Sequence, residues 1–294
     1  MRRSLGFFAI ISLAFIGCQK EVSVETGTIT TGGGGTGGGG TGGGGTGTSA
    51  LLSKIVTKDM TDSIVENFTY NSQNKLIAYS VKGETVAEER DERYAFERDS
   101  QGRIIKTTEL STEDGGLTYD TTVTNVYYTG TSGTTISHTI SVTNSTDIDS
   151  TAFVYTGGKI SKITSYILGL SGYDASDESV YTFDANSNVT NVKFYDVSGG
   201  TPQLIHERKY TYDAKVSPLQ LGADEGILAI EYFSGSNNLT RFEVVDNALG
   251  GLGNIVLAST MTYGTNNKPA QSTISATIMG TPVPIGITST YYYQ

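Results

Sequence analysis

The sequence predicts an all-β protein, an extended and curved antiparallel sheet laid out as a meander of repeated β-hairpins. Three observations predict it. Polar and apolar residues alternate with a period of two over most of residues 50–294. Aromatic-x-aromatic triplets recur, each followed by a cluster of Asn, Asp, Gly or Ser and then by an Ile, Val or Leu. No stretch in this region carries the i, i+3, i+4, i+7 apolar spacing of an amphipathic helix.

The amino terminus reads differently. Arg2 and Arg3 precede an apolar run from Leu5 to Gly17. A membrane-spanning helix needs about 20 residues, so this run is too short to remain in a bilayer. A basic start followed by a short apolar core is the pattern of a secretory signal. The run ends in Phe15-Ile16-Gly17-Cys18, which resembles a bacterial lipobox, with Phe15 standing where that pattern prefers Leu. The resemblance implies cleavage after Gly17 and lipidation of Cys18, so residues 1–17 are the expected signal peptide. Acyl chains on Cys18 would supply the membrane anchor, each buried methylene contributing about 0.8 kcal/mol. Gln19-Lys20-Glu21 is similar to the short signal that follows the lipidated Cys in surface-exposed lipoproteins of Bacteroidota. The expected location is therefore the outer membrane, with the cell surface favoured over the periplasmic face.

Residues 18–49 form the next segment. Gly32–Gly35, Gly37–Gly40 and Gly42–Gly45 are separated by Thr36, Thr41 and Thr46. Gly has no side chain to bury and the most backbone entropy to lose, so this segment is expected to be a flexible tether. Its end-to-end distance is roughly 30 Å for the thirty residues from Lys20 to Ser49.

The repeats follow over residues 50–294. Phe68-Thr-Tyr70, Tyr94-Ala-Phe96, Phe153-Val-Tyr155, Tyr181-Thr-Phe183, Tyr210-Thr-Tyr212 and Met261-Thr-Tyr263 each open a unit, and Tyr291-Tyr292-Tyr293 closes the chain. Counting Tyr70, Phe96, Tyr127, Tyr155, Phe183 and Tyr212, the units recur every 26–31 residues. Aromatics at i and i+2 lie on one face of a strand. The polar residues after them supply the positive φ values of a tight turn. A single hairpin is marginal in water, so the units must stack on one another. Between Val216 and Leu239 the rhythm breaks, and an apolar cluster around Asp224-Glu225-Gly226 is expected to pack across the sheet as a plug rather than act as a ligand-binding lid.

The unit Tyr-x-Phe/Tyr-Asp-x-x-Gly/Asn-x-Ile/Val resembles the YD/RHS-type repeat. It is also similar to the repeats of Bacteroidota lipoproteins of unknown function of the DUF4595 kind. Tyr212-Asp213-Ala-Lys215-Val-Ser-Pro218 and Ser236-Asn237-Asn238-Leu239-Thr240 fit the same resemblance. It implies an extended curved sheet and no agreed activity.

Chemistry is thinly represented. Lys and Arg number 20 against 30 Asp and Glu, a net charge of −10, which becomes −12 once Arg2 and Arg3 are cleaved away. Such a chain lacks the basic footprint of nucleic-acid binding. One Cys excludes an internal disulfide and a Cys-based zinc site. His138 and His206 both read as outward-facing strand residues, and no GxSxG or HExxH occurs. Asp147/Asp149 and Asp174/Asp177/Glu178 lack the twelve-residue calcium loop, so no metal and no cofactor is expected. The charged run Glu84–Arg93 reads as a solvated segment. Asp62-Ser63-Ile64, Asp120-Thr121-Thr122 and Asp149-Ser150-Thr151 resemble the short O-glycosylation motif of Bacteroidota, implying Ser63, Thr121 and Ser150 as acceptors.

The expectation is a lipid-anchored envelope protein that acts as a non-enzymatic binding or structural module, its partner a glycan or a protein. The alternatives are an envelope enzyme acting on glycans, or an accessory factor for assembly or secretion that pairs through open sheet edges. No residue is assigned a catalytic role.

Overall fold

Several hairpins are closed by the same small set of contacts. The computed structural model describes residues 50–294 except 60–61, 86–87, 113–117, 131–132, 170–171, 219–235 and 247–253. Cys18, Gly17 and the tether lie outside the described residues, as does most of the 216–239 segment.

Among the described residues sixteen strands run in chain order: β1 Leu52–Lys58, β2 Ser63–Tyr70, β3 Leu76–Thr85, β4 Glu88–Arg98, β5 Ile104–Ser111, β6 Asp120–Tyr128, β7 Ile136–Thr143 and β8 Asp147–Thr156. The second half is β9 Lys159–Gly169, β10 Gly172–Phe183, β11 Val189–Asp196, β12 Gln203–Val216, β13 Asn237–Asp246, β14 Asn254–Tyr263, β15 Pro269–Ile278 and β16 Thr281–Tyr293. Every strand pairs antiparallel with its chain neighbours, and β1 pairs with β16. The meander of hairpins is as the sequence predicts, and it closes on itself into a barrel. Among the described residues closure leaves no free sheet edge along the strands, in place of the open edges expected from the sequence.

Four turns at one end, those of β2–β3, β4–β5, β10–β11 and β14–β15, share a design. Asn71 Oδ1 accepts from the amides of Gln73 and Lys75 at 2.9 and 3.0 Å. Asp99 Oδ1 accepts from Gln101 and Arg103 at 2.9 and 3.0 Å, and Asp184 Oδ1 from Asn186 and Asn188 at 2.8 and 2.9 Å. Three residues after each of these side chains the backbone takes a positive φ: Asn74 (60°), Gly102 (81°) and Ser187 (69°), with Asn267 (60°) at the same place in the β14–β15 turn. The Asn or Asp that follows the aromatic thus works by satisfying turn amides, and the positive φ falls later.

A register shift precedes each of these turns and sets one aromatic opposite the first apolar residue of the return strand. Tyr70 faces Leu76, Tyr128 faces Ile136, Tyr155 faces Ile160, Phe183 faces Val189, Tyr212 faces Leu239, Tyr263 faces Pro269 and Tyr293 faces Leu52. In the second hairpin Arg98 takes this place, opposite Ile104. The ring position therefore belongs to Arg98 and Tyr128, not to Phe96 and Tyr127. With that change the first six units fall 27 to 30 residues apart.

Neighbouring hairpins are cross-linked at this ring. Tyr128 Oη donates to the Ile104 carbonyl at 2.9 Å, Tyr293 Oη to the Pro269 carbonyl at 2.9 Å, and Arg98 Nη2 to the Leu76 carbonyl at 2.8 Å. Tyr155 Oη accepts from the Ile136 amide at 3.2 Å, and burial pushes this phenol up to about 12. The basic residue after a turn lies over the aromatic of the next hairpin: Arg103 over Tyr128, Lys159 over Phe183 and Lys268 over Tyr293, at 4.5, 5.3 and 5.2 Å from the ring centres. Tyr128→Phe removes one such bond at constant shape and leaves a carbonyl short of a donor. It should lower unfolding stability by about 1 kcal/mol in urea titrations.

Leu52, Leu76, Ile104, Ile136, Ile160 and Val189 in this ring are at most 1% exposed. A second layer, Phe68, Phe96, Val126, Phe153, Tyr181, Tyr210 and Tyr291, lies two residues up each strand and joins one apolar cluster. We call this the packed end. At the opposite, open end the inward-facing residues of β8–β11 are Asp149, Ile167, Asp174, Asp177 and Asp196. All are exposed, Ile167 by 55%.

Candidate functional site

The two faces of the barrel wall differ in polarity, and the difference defines the site. Residues on the outer face form ion pairs across strands: Lys82 with Asp91 at 3.1 Å, Lys106 with Glu97 at 2.6 Å and Lys162 with Glu178 at 2.9 Å. Lys193 stands opposite Glu207, and Lys209 opposite Glu243. Asp91, hydrogen-bonded by Arg93, Lys82 and Tyr119, is held below the usual carboxylate range although burial opposes this. A lipid-facing barrel wall would lose roughly 2–4 kcal/mol for each Lys or Arg at mid-membrane depth. The inner face, by contrast, carries the apolar cluster.

A polar wall interrupts that inner face on β2–β5. Glu66, only 5% exposed, accepts from Tyr79 Oη at 2.7 Å. Arg90, buried, donates through Nε to Glu92 at 2.7 Å. Tyr94 Oη lies 3.2 Å from Glu92 and 3.0 Å from Glu109. Burial, with the carboxylates of Glu92 and Glu109 beside it, raises the Tyr94 phenol far above its ordinary value. The register brings these groups together: Glu92 and Glu66 both flank Val81, and Glu109, Tyr94, Tyr79 and Phe68 form the next row. Beside them, Thr122 and Thr143 share a hydrogen bond at 2.9 Å, as do Thr124 and Ser141. On β2–β7 the upper interior is therefore lined by carboxylates, the Arg90 guanidinium, phenols and hydroxyls.

Burial pushes the Glu66 carboxyl above its ordinary value of 4.5, against the pull of Tyr79 and Arg90 and with Glu92 adding to the rise. An acid with a raised folded pKa holds its proton longer in the fold than in the unfolded chain. Its effect is to erode stability as pH rises from 4.5 through the folded value. Glu66→Gln keeps an acceptor for Tyr79 and removes the titration. It should be more stable than the native protein at neutral pH and flatten the stability profile above 4.5 in urea titrations. An unchanged profile would refute this. Asp91 and Asp99, held low, act in the other direction, and their contribution fades only as pH falls below 3.8.

The structure corrects two readings of the sequence. The Glu84–Arg93 run is not a solvated segment; from Glu88 it forms β4, whose alternation turns Arg90, Glu92 and Tyr94 inward with Phe96. The period-two continuity of Arg90, Glu92, Tyr94 and Phe96 was the available signal. His138 does face outward, stacked on Tyr127 at 4.5 Å. His206 faces inward, stacked on Phe194 at 4.2 Å, with Arg208 over the same Phe194 ring. A register shift between Leu204 and His206 inverts the alternation there.

Ser63, Thr121 and Ser150 all lie on the outer face in the half of the wall toward the open end, where they are partly buried. Ser150 Oγ donates to the Thr139 carbonyl at 3.1 Å. Asp213 and Asn238, from the two motif segments around the 216–239 break, do meet: the Asn238 amide donates to Asp213 Oδ1 at 3.3 Å, and Val216 pairs with Asn237. Among the described residues no group of three or more His, Cys, Asp or Glu is arranged to hold a metal ion. No helix of the described residues is long and apolar enough to cross a membrane.

The sequence matches no protein-family profile and no curated protein. Solved structures do match. A crystal structure of a porin-like protein from Bacteroides uniformis ATCC 8492 superposes with a TM-score of 0.51 at 12% identity, covering 83% of this chain and 98% of that one. A porin-like protein from Bacteroides vulgatus ATCC 8482 gives 0.44 at 13% identity over 83% of this chain and 99% of that one. The first of these likenesses shows a shared barrel fold.

Proposed function

We propose that this is a lipid-tethered protein of the bacterial outer membrane whose barrel sits in water beside the bilayer. There it serves as a non-enzymatic binding or structural module, with a glycan or a protein as ligand. The observation that carries this reading is the polarity of the wall, with ion pairs outside and an apolar cluster inside. That is the reverse of a membrane-spanning barrel, which is apolar outside and polar within. The membrane connection then falls to Cys18. Surface exposure rests on Lys20 and Glu21, kinship with YD/RHS-type repeats on the hairpin residues, and the envelope setting draws support from the Bacteroides porin-like fold relatives. The Asp/Ser/Thr triplets would carry glycans at Ser63, Thr121 and Ser150.

Cys18→Ala should move the protein from the membrane fraction to the soluble fraction with its barrel folded. Retention in the membrane would refute the anchor. Protease added to intact cells should remove the domain; protection would place it on the periplasmic side.

A second reading, an envelope enzyme acting on glycans, is favoured by one observation: Glu66, Glu92 and Glu109 gather on one inner wall, with the Glu66 carboxyl raised. Release of reducing sugars from envelope polysaccharide, abolished by Glu92→Gln, would establish it.

A further inference from the structure

The two ends of the barrel are not equivalent with respect to the anchor. The chain enters at the packed end. Leu51 and Gln294 exchange backbone hydrogen bonds of 3.0 and 2.9 Å, and Leu52 pairs with Tyr293. Lys268 Nζ donates to the Ala50 carbonyl. A Gly-rich coil of thirty residues between this point and a lipidated Cys18 would span roughly 30 Å, which would keep the packed end nearer the anchor than the open end.

Charge is distributed along the same axis. Lys75, Arg98, Arg103, Lys159, Lys215 and Lys268 all lie in or beside turns of the packed end, where Asp99, Asp184 and Asp213 offset part of their charge. At the open end the connections between strands contain no Lys or Arg, and exposed Lys58 at the end of β1 is the one cation beside them. There the exposed inward carboxylates are Asp149, Asp174, Asp177 and Asp196, with Asp120 and Asp147 at the strand starts. An anionic lipid surface attracts the cations of one end and repels the carboxylates of the other within a Debye length of about 8 Å.

We infer that the packed end is the face that docks on anionic lipid, and that the acidic mouth is held pointing away from the membrane. This rests on the proposed lipid anchor. The interior carboxylates and hydroxyls then open toward the medium, where a ligand would arrive.

The test uses the full acylated protein in vesicles of phosphatidylcholine and phosphatidylglycerol that contain an energy-acceptor lipid. Cys18 is the only native Cys and is blocked by its lipid, so Ser72→Cys at the packed end and Thr146→Cys at the open end each give a unique site for a donor dye. Both positions are exposed. Transfer should be about twofold or more higher from residue 72 than from residue 146, given a tether of this reach. Equal transfer, or greater transfer from residue 146, would overturn the orientation. Failure to float with the vesicles would overturn the anchor itself, and so separates the two claims. Gln101→Cys, in another turn of the packed end, should repeat the result at residue 72; if it matches residue 146 instead, the orientation is refuted.

Discussion

Replacing Phe242 by alanine should destabilise the barrel by about 3–5 kcal/mol. Phe242 is the largest of the fully buried side chains. It projects inward from β13, opposite Leu257 on β14 and Tyr210 on β12, and its ring lies 5.3 Å from that of Tyr210 at 45°. Truncation removes the transfer energy of the ring and leaves a void. The size of the penalty depends on whether the surroundings can collapse. Here they cannot do so freely, because β12, β13 and β14 are fixed to one another by ladder hydrogen bonds and the wall is closed all round. Collapse would have to bend the sheet. The denaturant midpoint should therefore fall with an unchanged slope, as expected when native packing is lost but the surface exposed on unfolding is not. Arg241→Ala, the outward neighbour on the same strand, is half-exposed with only an exposed ion pair to Glu243, and should shift the midpoint little. A Phe242→Ala protein as stable as the native one would mean that the interior is loosely filled at that level.

The hairpins were legible because the signals for them are local. An aromatic, an Asn or Asp accepting turn amides, a residue at positive φ and an aliphatic lie within seven positions, as in Tyr70-Asn71…Asn74-Lys75-Leu76. Two things were less legible. One was the identity of the ring position in the second and third units. Arg98 performs there the task of a Tyr, reaching the Leu76 carbonyl, and a search for aromatics settles instead on Phe96, two residues early and one layer further up the barrel. The other was closure. Pairing of β1 with β16 joins residues more than two hundred positions apart, and nothing in the composition of either strand marks it. The polar wall is obscured in the sequence for a related reason. Its members are charged, and a run of charges reads as solvated unless its alternation is followed into the aromatics beyond it. His206 shows the limit of that approach, since the irregularity at Ile205 reverses the alternation without a sequence marker such as Gly or Pro.

Closure also decides what the inner carboxylates cost. A barrel wall is one residue layer thick, so an inward charge must be satisfied by its neighbours or by water from the mouth. Arg90 answers Glu92, and Tyr79 answers Glu66. Further up, Asp149, Asp174 and Asp177 are exposed to solvent, and exposed Asp196 accepts from the Ser198 amide and hydroxyl at 2.8 and 2.6 Å. The interior is thus graded from aromatic at the packed end, through hydrogen-bonded charge, to hydrated carboxylates at the mouth.

Gly83→Ala should cost about 3 kcal/mol or more, combining backbone strain with a hard contact. Gly83 has φ +146°, a conformation that side chains other than glycine rarely adopt. It pairs with Ile64 on β2 and with Arg90 on β4. A Cβ at this position would stand 2.1 Å from the Ser63 carbonyl oxygen and 2.8 Å from Ile64 Cα. Both are backbone atoms, so no side chain can swing aside and β2 must move away from β3. That movement separates the rows that hold Glu66 against Tyr79 and Arg90 beside Glu92. Amide exchange in the upper halves of β2 and β3 should accordingly accelerate more than in β14 or β15, on the far side of the closing seam. Gly102→Ala separates the two causes. Its φ of +81° is also unfavourable, but nothing lies within 4 Å of the added Cβ, so only the conformational penalty of about 1–2 kcal/mol applies. Equal losses for the two variants would show that the Ser63 contact is relieved at little cost and that β2 and β3 are less tightly held than their register implies.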